Sequence, residues 1–344
     1  MKKVTIRDVA KAAGVSTATI SRAISGKTKV SPETMAIIEK AIRETGYLEP
    51  EQVPFGSGQS EGQVYFVMKS LSSNKYAELL NQSMIRVAEK FRLRVVSVNI
   101  EVDDERNGDR YFPDDEIMEL VKEVVRIGAR GMIISGFSDQ WMAKEVKQLI
   151  LNHQVPIVFI NRSMTLNSFN RILTGSDRGT YMAVQYLVRE GRRDLLMIQL
   201  PFHMGKTRGF VEAVSSLAME DLNHRVMIAE NSDPGEIARV IGEALEENPD
   251  TDGIICCDDE IAAAALRKLL MMGKKVPEDI DLIGYNDNLA PLLTPPLSSV
   301  RVPMNKICET AIEMLLDTRQ HAPGEPAKTV LLDPQLIIRK DSVM

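Results

Sequence analysis

The 344-residue chain is short of the residues that mark several common functions. It has three cysteines, four histidines and one tryptophan, and only 5% of its residues are aromatic. The cysteines, Cys256, Cys257 and Cys308, form no Cys-x-x-Cys pair and are odd in number. That argues against a disulfide framework and for buried thiols in a reducing compartment. The histidines, His153, His203, His224 and His321, are scattered without ligand-like spacing. Neither a metal nor another cofactor is therefore expected. No run approaches the ~18 consecutive apolar residues of a membrane helix. The basic start Met1-Lys2-Lys3 leads into Val4-Thr5-Ile6-Arg7-Asp8 and not into an apolar stretch, so no secretory signal is expected and the expected location is the cytoplasm. Positive charge is scarce as well: the chain carries a net −6, which as an average speaks against a nucleic-acid partner. What is present is ordinary for a folded protein, 44% hydrophobic and 26% charged residues, which excludes a disordered or low-complexity chain. The length exceeds the ~250–300 residues at which one core stops growing, so more than one packing unit is expected.

The average charge hides a division. Residues 1–48 hold nine basic residues against four acidic ones, a balance of +5, which leaves −11 for the rest. A basic module on an acidic carrier fits that asymmetry, and so does a solvated face on a few short helices.

The helix signals in this segment are dense. Thr5 followed by Asp8 reads as a capping-box-like start. Ile6, Val9, Ala10 and Ala13 then recur at helical spacing. Gly14 suits a left-handed turn. Ser16 is a candidate N-cap for a second helix carrying Thr17 to Ala23, with Ile20 and Ala23 on its inner face. Gly26 ends it. Ser31-Pro32-Glu33 starts a third helix, with Met35, Ile37, Ile38, Ala41 and Ile42 on its apolar face and Gly46 as its stop. Two short helices joined by a tight glycine turn describe a helix-turn-helix, whose second helix enters the major groove of DNA with its first residues toward the bases. Thr17 and Ala18 hold those places here. Arg22, one turn on, suits either a guanine edge or a phosphate. Ser16, Thr19 and Ser21 suit phosphates and capping.

The run Val4-Thr5-Ile6-Arg7-Asp8-Val9-Ala10-Lys11-Ala12-Ala13-Gly14-Val15-Ser16-Thr17-Ala18-Thr19-Ile20-Ser21-Arg22 closely resembles the head of the LacI/GalR (lactose-repressor) family of bacterial transcription regulators. Val30-Ser31-Pro32-Glu33-Thr34 and Gly46-Tyr47 continue the likeness. The resemblance implies a DNA-binding set of Thr5, Ser16, Thr17, Ala18, Thr19, Ser21 and Arg22.

Residues 49–62 depart from that family. The stretch Glu49-Pro50-Glu51-Gln52-Val53-Pro54-Phe55-Gly56-Ser57-Gly58-Gln59-Ser60-Glu61-Gly62 has three acids and no base. Two prolines and three glycines oppose a stable helix. The family has a hinge helix there, with a leucine wedged into the minor groove. In this chain either the segment is a flexible linker, or Val53 or Phe55 serves as the wedge.

Beyond the linker, short apolar runs alternate with helical patterns. The runs are Val64–Met68, Val95–Ile100, Gly131–Ser135, Pro156–Ile160, Leu195–Leu200, Gly253–Cys257 and Leu282–Tyr285. The helical patterns are Tyr76–Phe91, Asp114–Ile127, Gln140–Leu151, Arg178–Arg189, Pro234–Glu246 and Glu260–Met272. Such alternation predicts parallel sheets covered by helices on both faces, and the length favours two sheets. Asn161-Arg162, Gly175-Ser176-Asp177, Asp258-Asp259-Glu260-Ile261-Ala262, Val276-Pro277-Glu278-Asp279-Ile280 and Gly284-Tyr285-Asn286-Asp287 resemble the same family's effector core, which is similar to a type I periplasmic-binding protein. The expected fold is an all-α helix-turn-helix head plus a two-lobed α/β core of parallel doubly wound sheets. The expected domains are a head at 1–48, a linker at 49–62 and a core at 63–344. Within the core the N-lobe is placed at about 63–160 plus 291–320, and the C-lobe at about 161–290 plus 321–344.

Gly205-Lys206-Thr207 after a strand invites a P-loop reading, but that loop needs glycine at position 200, which is Leu200. Lys206-Thr207-Arg208-Gly209-Phe210 instead resembles the family's Arg-x-x-Gly-Phe, whose arginine binds the effector. Lysine there is a point charge where the family has a planar fork. It implies either a changed effector geometry or an acidic ligand group, unless Arg208 substitutes.

Ligands of open α/β sheets bind beyond the carboxyl ends of strands. The residues there are Ser70, Ser72, Asn74, Phe137, Asn161, Arg162, Phe202, Asp258, Asp259 and Asn286. The candidate effector-binding set is Ser70, Asn74, Phe137, Asn161, Lys206, Asp259 and Asn286; of these, the resemblance implies ligand contacts for Asn161, Lys206, Asp259 and Asn286, and Phe137 or Phe202 suits an apolar sugar face. Asp259 can equally be a helix cap. The expected function is a repressor that binds operator DNA as a homodimer and responds to a sugar-like small molecule between the lobes, without catalytic residues and without a membrane partner. The rival is a solute-binding protein or sugar-metabolising enzyme with the same core. It lacks a secretory signal or a catalytic constellation and leaves the head without a purpose.

Overall fold

The computed structural model describes residues 6–17, 19–20, 31, 34, 37–38, 40–41, 45, 62–70, 75–101, 112–138, 141–160, 169–201, 204–317 and 326–340, without the side chains of 6–8, 70, 75 and 204. The linker readings, including Val53 and Phe55, lie outside these residues.

In the head, helix α1 (Ile6–Ala13) ends at Gly14, whose φ of +66° is open to glycine at no steric cost. The Val15 N–H turns back to the Ala10 carbonyl at 3.1 Å and closes the helix end. The next helix starts where its cap predicts: the Thr19 N–H donates to Ser16 Oγ at 3.1 Å. Ser31 does the same for the third helix, accepting from the Thr34 N–H at 3.3 Å. Val9, Ala10, Ala13, Ile20, Ile38 and Ala41 form one buried cluster. Ile37 departs from the expected apolar face and is 51% exposed. It precedes the buried Ile38, and adjacent helical positions point about a quarter-turn apart.

The remainder divides into two units. The first contains β1 (Gln63–Ser70), α2 (Lys75–Lys90), β2 (Arg94–Glu101), α3 (Asp114–Ile127), β3 (Met132–Ser135), α4 (Lys144–His153), β4 (Ile157–Ile160) and β5 (Asn170–Thr174). The second begins at Thr174 and holds α5 (Ser176–Arg189), β6 (Asp194–Gln199), α6 (Met204–Leu217), β7 (Asn223–Ile228), α7 (Pro234–Glu247), β8 (Gly253–Cys256), α8 (Asp259–Met271), β9 (Asp281–Asn286) and β10 (Ser298–Arg301). The chain then returns for α9 (Met304–Leu316), runs through β11 (Thr329–Leu332) and finishes in the second unit with β12 (Gln335–Ile337). Among the described residues no helix is long and apolar enough to cross a membrane.

Each unit is one six-stranded sheet. The orders are β11-β5-β4-β3-β1-β2 and β12-β10-β9-β8-β6-β7. The ladders run parallel, except that β12 pairs antiparallel with β10. Central strands β3, β4 and β8 are buried at every position, as parallel strands covered on both faces must be. Strands β2 and β7 lie at the edges and are partly exposed.

The lobe boundaries differ from the expected ones. Residues 169–173 belong to the first unit, because β5 pairs with β4. Residues 291–303 belong to the second, because β10 pairs with β9. The return to the first unit starts at Met304 and lasts to Val330. These assignments depend on strand pairing between distant segments, and β5 and β10 are too short and mixed to give a continuous apolar signal.

Candidate functional site

Two places carry the expected functional residues. In the head, Ser16 and Thr17 are exposed at the start of the second helix, and Ser16 Oγ lies 2.8 Å from Thr19 Oγ1. The helix therefore presents its first turn to solvent while Ile20 holds its other side in the core. Thr5, Ala18, Ser21 and Arg22 lie outside the described residues.

The second place is the carboxyl end of the second unit's sheet. There α6 begins at Met204 after β6 ends at Gln199, and α8 begins at Asp259 after β8 ends at Cys256; the loop after β9 lies against the start of α8. Lys206, in the first turn of α6, sends its ammonium to the Cys257 carbonyl and over the Tyr285 ring, 3.8 Å from the centroid. Burial pushes the Lys206 pKa below its ordinary value, opposed by the negative charges of Asp258 and Asp259. Neighbouring Thr207 donates to the Gln199 amide oxygen at the end of β6. Arg208 faces away: it is exposed and pairs with Asp177 at 2.7 Å.

The two adjacent acids after β8 have separate tasks. Asp258 caps α8, accepting from the Ile261 N–H at 2.8 Å. Asp259 is fully buried. Its Oδ2 accepts from the N–H groups of Asn288, Leu289 and Ala290 at 2.7, 3.0 and 3.1 Å, and its Oδ1 from Ser299 Oγ at 2.7 Å. Gly284 is what admits it, since a Cβ at that position would stand 2.2 Å from Asp259 Oδ1. Burial raises the Asp259 pKa, and these four donors oppose the rise. The expectation that Asp259 binds an effector is therefore corrected. Its oxygens are engaged within the lobe, and Asp258 is the cap.

Phe137 needs a similar correction. It lies two residues beyond β3 but is 1% exposed, inside the first unit's core, with its ring edge-on to Phe112 at 6.2 Å. No ring face is left for a ligand. Ser70 ends β1, and nothing is described of its side chain; Asn74, Asn161, Arg162, Ser72 and Phe202 lie outside the described residues. Asn286 ends β9, half-buried, with a φ of +91°. So the structure gathers Lys206 and Asn286 at the ends of the second unit's strands, with Asp258 beside them. Tyr285 and Gln199, which hold Lys206 and Thr207, were not foreseen as site residues. Their positions at the carboxyl ends of strands, Gln199 last in β6 and Tyr285 next to last in β9, were the available signal. Among the described residues no histidine, cysteine and carboxylate cluster could hold a metal ion.

Residues 5–49 match the family described as "Bacterial regulatory proteins, lacI family", and residues 184–342 match "Periplasmic binding protein-like domain". The chain thus joins a lacI-family head domain to a periplasmic-binding-protein-like domain. Relatives along its whole length agree. The HTH-type transcriptional regulator AscG of Escherichia coli (strain K12) is 27% identical, over 99% of this chain and 98% of its own. The HTH-type transcriptional repressor PurR of Erwinia tasmaniensis is 27% identical over 98% and 96%. The ribose operon repressor of Halalkalibacterium halodurans is 25% identical over 93% and 91%. These lacI-family relatives are regulators, not enzymes, which disposes of the rival enzyme reading. Among solved structures, the lac repressor dimer bound to operator and the anti-inducer ONPF superposes with a TM-score of 0.65, at 21% identity, over all of both chains. A CelR–cellobiose complex gives 0.61 at 22% identity, over 98% of this chain and 99% of that one. At these identities the two structures establish the fold: a lacI-family head and a two-unit, periplasmic-binding-like core.

Proposed function

We propose that this regulator is a cytoplasmic repressor that docks its head on operator DNA as a homodimer and is modulated by a sugar-like effector. The observation that carries the reading is the Ser16-capped second helix, with Thr17 exposed at its first turn and Ile20 buried behind it. A helix N-terminus so presented donates to phosphate while its side chains reach base edges. The +5 balance on the first 48 residues supplies the electrostatic attraction, and the acidic remainder keeps contact confined to the head. Two heads related by a two-fold axis read a two-fold-related operator.

On the effector side, Lys206, Asp258 and Asn286 offer an ammonium, a carboxylate and an amide at neighbouring strand ends. That donor and acceptor set suits a hydroxyl-rich ligand. The names of the CelR–cellobiose complex and the ribose operon repressor support a sugar as the class. The effector's influence on DNA affinity is no larger than its differential affinity for two conformations of the core.

A gel shift of full-length protein against its own promoter region, with salt titration, tests the reading. The expected result is a sequence-specific complex that weakens as salt rises. Absence of a specific shift at every salt concentration overturns it. In the same assay Arg22→Ala relaxes discrimination at one base position by ~1–3 kcal/mol if Arg22 reads a base, and weakens all sequences alike if it clamps a phosphate.

A further inference from the structure

We propose that Asp287 is a positioning residue for the effector site: clamped between Arg301 and Arg339, it ties the Asn286 loop to the end of β10 and to the C-terminal segment. This rests on the reading of the strand ends as the effector site.

Asn286 and Asp287 have φ values of +91° and +57°. Two successive residues with a Cβ in the left-handed region hold that conformation only where the surroundings over-determine it. Here they do. The Asp287 carboxylate is 1% exposed. Its Oδ1 accepts from Arg339 Nη1 at 2.6 Å, and its Oδ2 from Arg301 Nε at 2.7 Å and Arg339 Nη2 at 3.2 Å. Its N–H donates to Ser299 Oγ at 3.1 Å, and that hydroxyl donates to Asp259. Asp259 in turn holds the next three N–H groups of the loop. Asn286 thus precedes a segment whose N–H groups at 287–290 all lead to Asp259, directly or through Ser299, and whose Asp287 carboxylate is held by two arginines.

The anchors are distant in sequence and placed where the chain leaves the lobe. Arg301 stands two residues before the second unit ends at Pro303. Arg339 lies 52 residues beyond Asp287 and is the better buried of the two arginines, its side chain 15% exposed against 51%. Arg339 is also latched to its surroundings: Nη1 donates to the Leu297 carbonyl at 2.8 Å and its N–H to Ser298 Oγ at 3.0 Å. A different C-terminal ion pair, Arg178 with Asp333 at 2.6 Å, is half-exposed at both ends and does not touch the loop. It provides the internal control.

The test is hydrogen exchange on the full-length protein, which reads local opening of the backbone. In Asp287→Asn and in Arg339→Gln, amides of residues 286–292 exchange at least tenfold faster, while those of β8 keep their protection. Arg339→Lys restores most of the protection, and Arg178→Gln leaves the loop as it was. The proposal is overturned if loop exchange in Asp287→Asn and Arg339→Gln stays within twofold of the unmodified protein. It is equally overturned if β8 opens in step with the loop, or if Arg178→Gln has the same effect. Titrations with cellobiose, lactose and ribose run beside this. A sugar that binds the unmodified protein binds Asp287→Asn at least tenfold more weakly, and undiminished affinity overturns the proposal. If none of the three binds, the sugar reading loses its support, while the exchange result still decides the role of Asp287.

Discussion

The two lobes use one strand order twice. Position for position, β5-β4-β3-β1-β2 of the first sheet corresponds to β10-β9-β8-β6-β7 of the second, and each is flanked by a strand from the C-terminal segment. Their described side chains nonetheless differ in kind. The first lobe packs Phe112, Phe137, Phe159 and Phe169 into one core cluster. The second has alanine-rich helix packing, with Ala262, Ala264 and Ala265 buried on α8, and surrounds its strand ends with Lys206, Asp259, Asp287 and the arginines that hold it. Topology offers the same crevice to both sheets. Which lobe carries polar chemistry is decided by the residues placed at the strand ends.

Substitutions can break that contrast. The largest effect is expected from Phe159→Ala, which removes a fully buried ring from the first lobe's cluster and costs ~3–5 kcal/mol in chemical denaturation. Asp259→Ala comes next at about 3 kcal/mol, since three loop N–H groups and one hydroxyl lose a charged acceptor. If the lobes differ as argued, its damage is local, seen as lost exchange protection over 287–290. Equal loss in the first lobe's strands would erase the distinction.

A third substitution moves the other way. Asp281 opens β9, and burial pushes its pKa up to about 6, with Arg192 opposing the rise. A carboxylate with a raised folded-state pKa contributes stability that is present below the unfolded value, near 4, and is lost as pH rises through 6. Asp281→Asn is therefore expected to stabilise the second lobe at pH 7 by on the order of 2 kcal/mol, with the gain gone at pH 4. Thermal denaturation at the two pH values checks the sign. The smallest effect is at the head: Ser16→Ala removes one cap and costs ~1 kcal/mol, read as a lower melting temperature of the head with both lobes unchanged.

Local features were the legible ones. Ser16 and Ser31 cap because a hydroxyl three residues before an amide is a short-range geometry. The expected helix at Asp114–Ile127 has those bounds in the structure, its first turn acidic and its end marked by Gly128 in the left-handed region. The continuous apolar runs of β3, β4 and β8 showed as strands because both their faces are covered. By contrast β5, β10 and β12 are short and hold no continuous apolar run of the length of β3, β4 or β8. Ser298 and Ser299 are buried only because β9 and the C-terminal segment close over them. The same limit applies to the site. Position after a strand could not separate Asp258 from Asp259, because the task of Asp259 depends on a loop 29 residues away. Nor could it tell that Phe137 turns inward, since that depends on Phe112 across the lobe.

The strand β12 has a consequence for how the protein is made. It is the second sheet's only antiparallel member among the described strands, and it covers the outer side of β10. Until the ribosome has released residues 335–339, β10 is a bare edge with unpaired backbone groups, open to pairing with another nascent chain. Asp287 also waits for Arg339 during that interval. A premature stop after residue 330 would therefore remove only fourteen residues yet leave an entire lobe prone to aggregation, and no single cut in the gene can express that lobe alone.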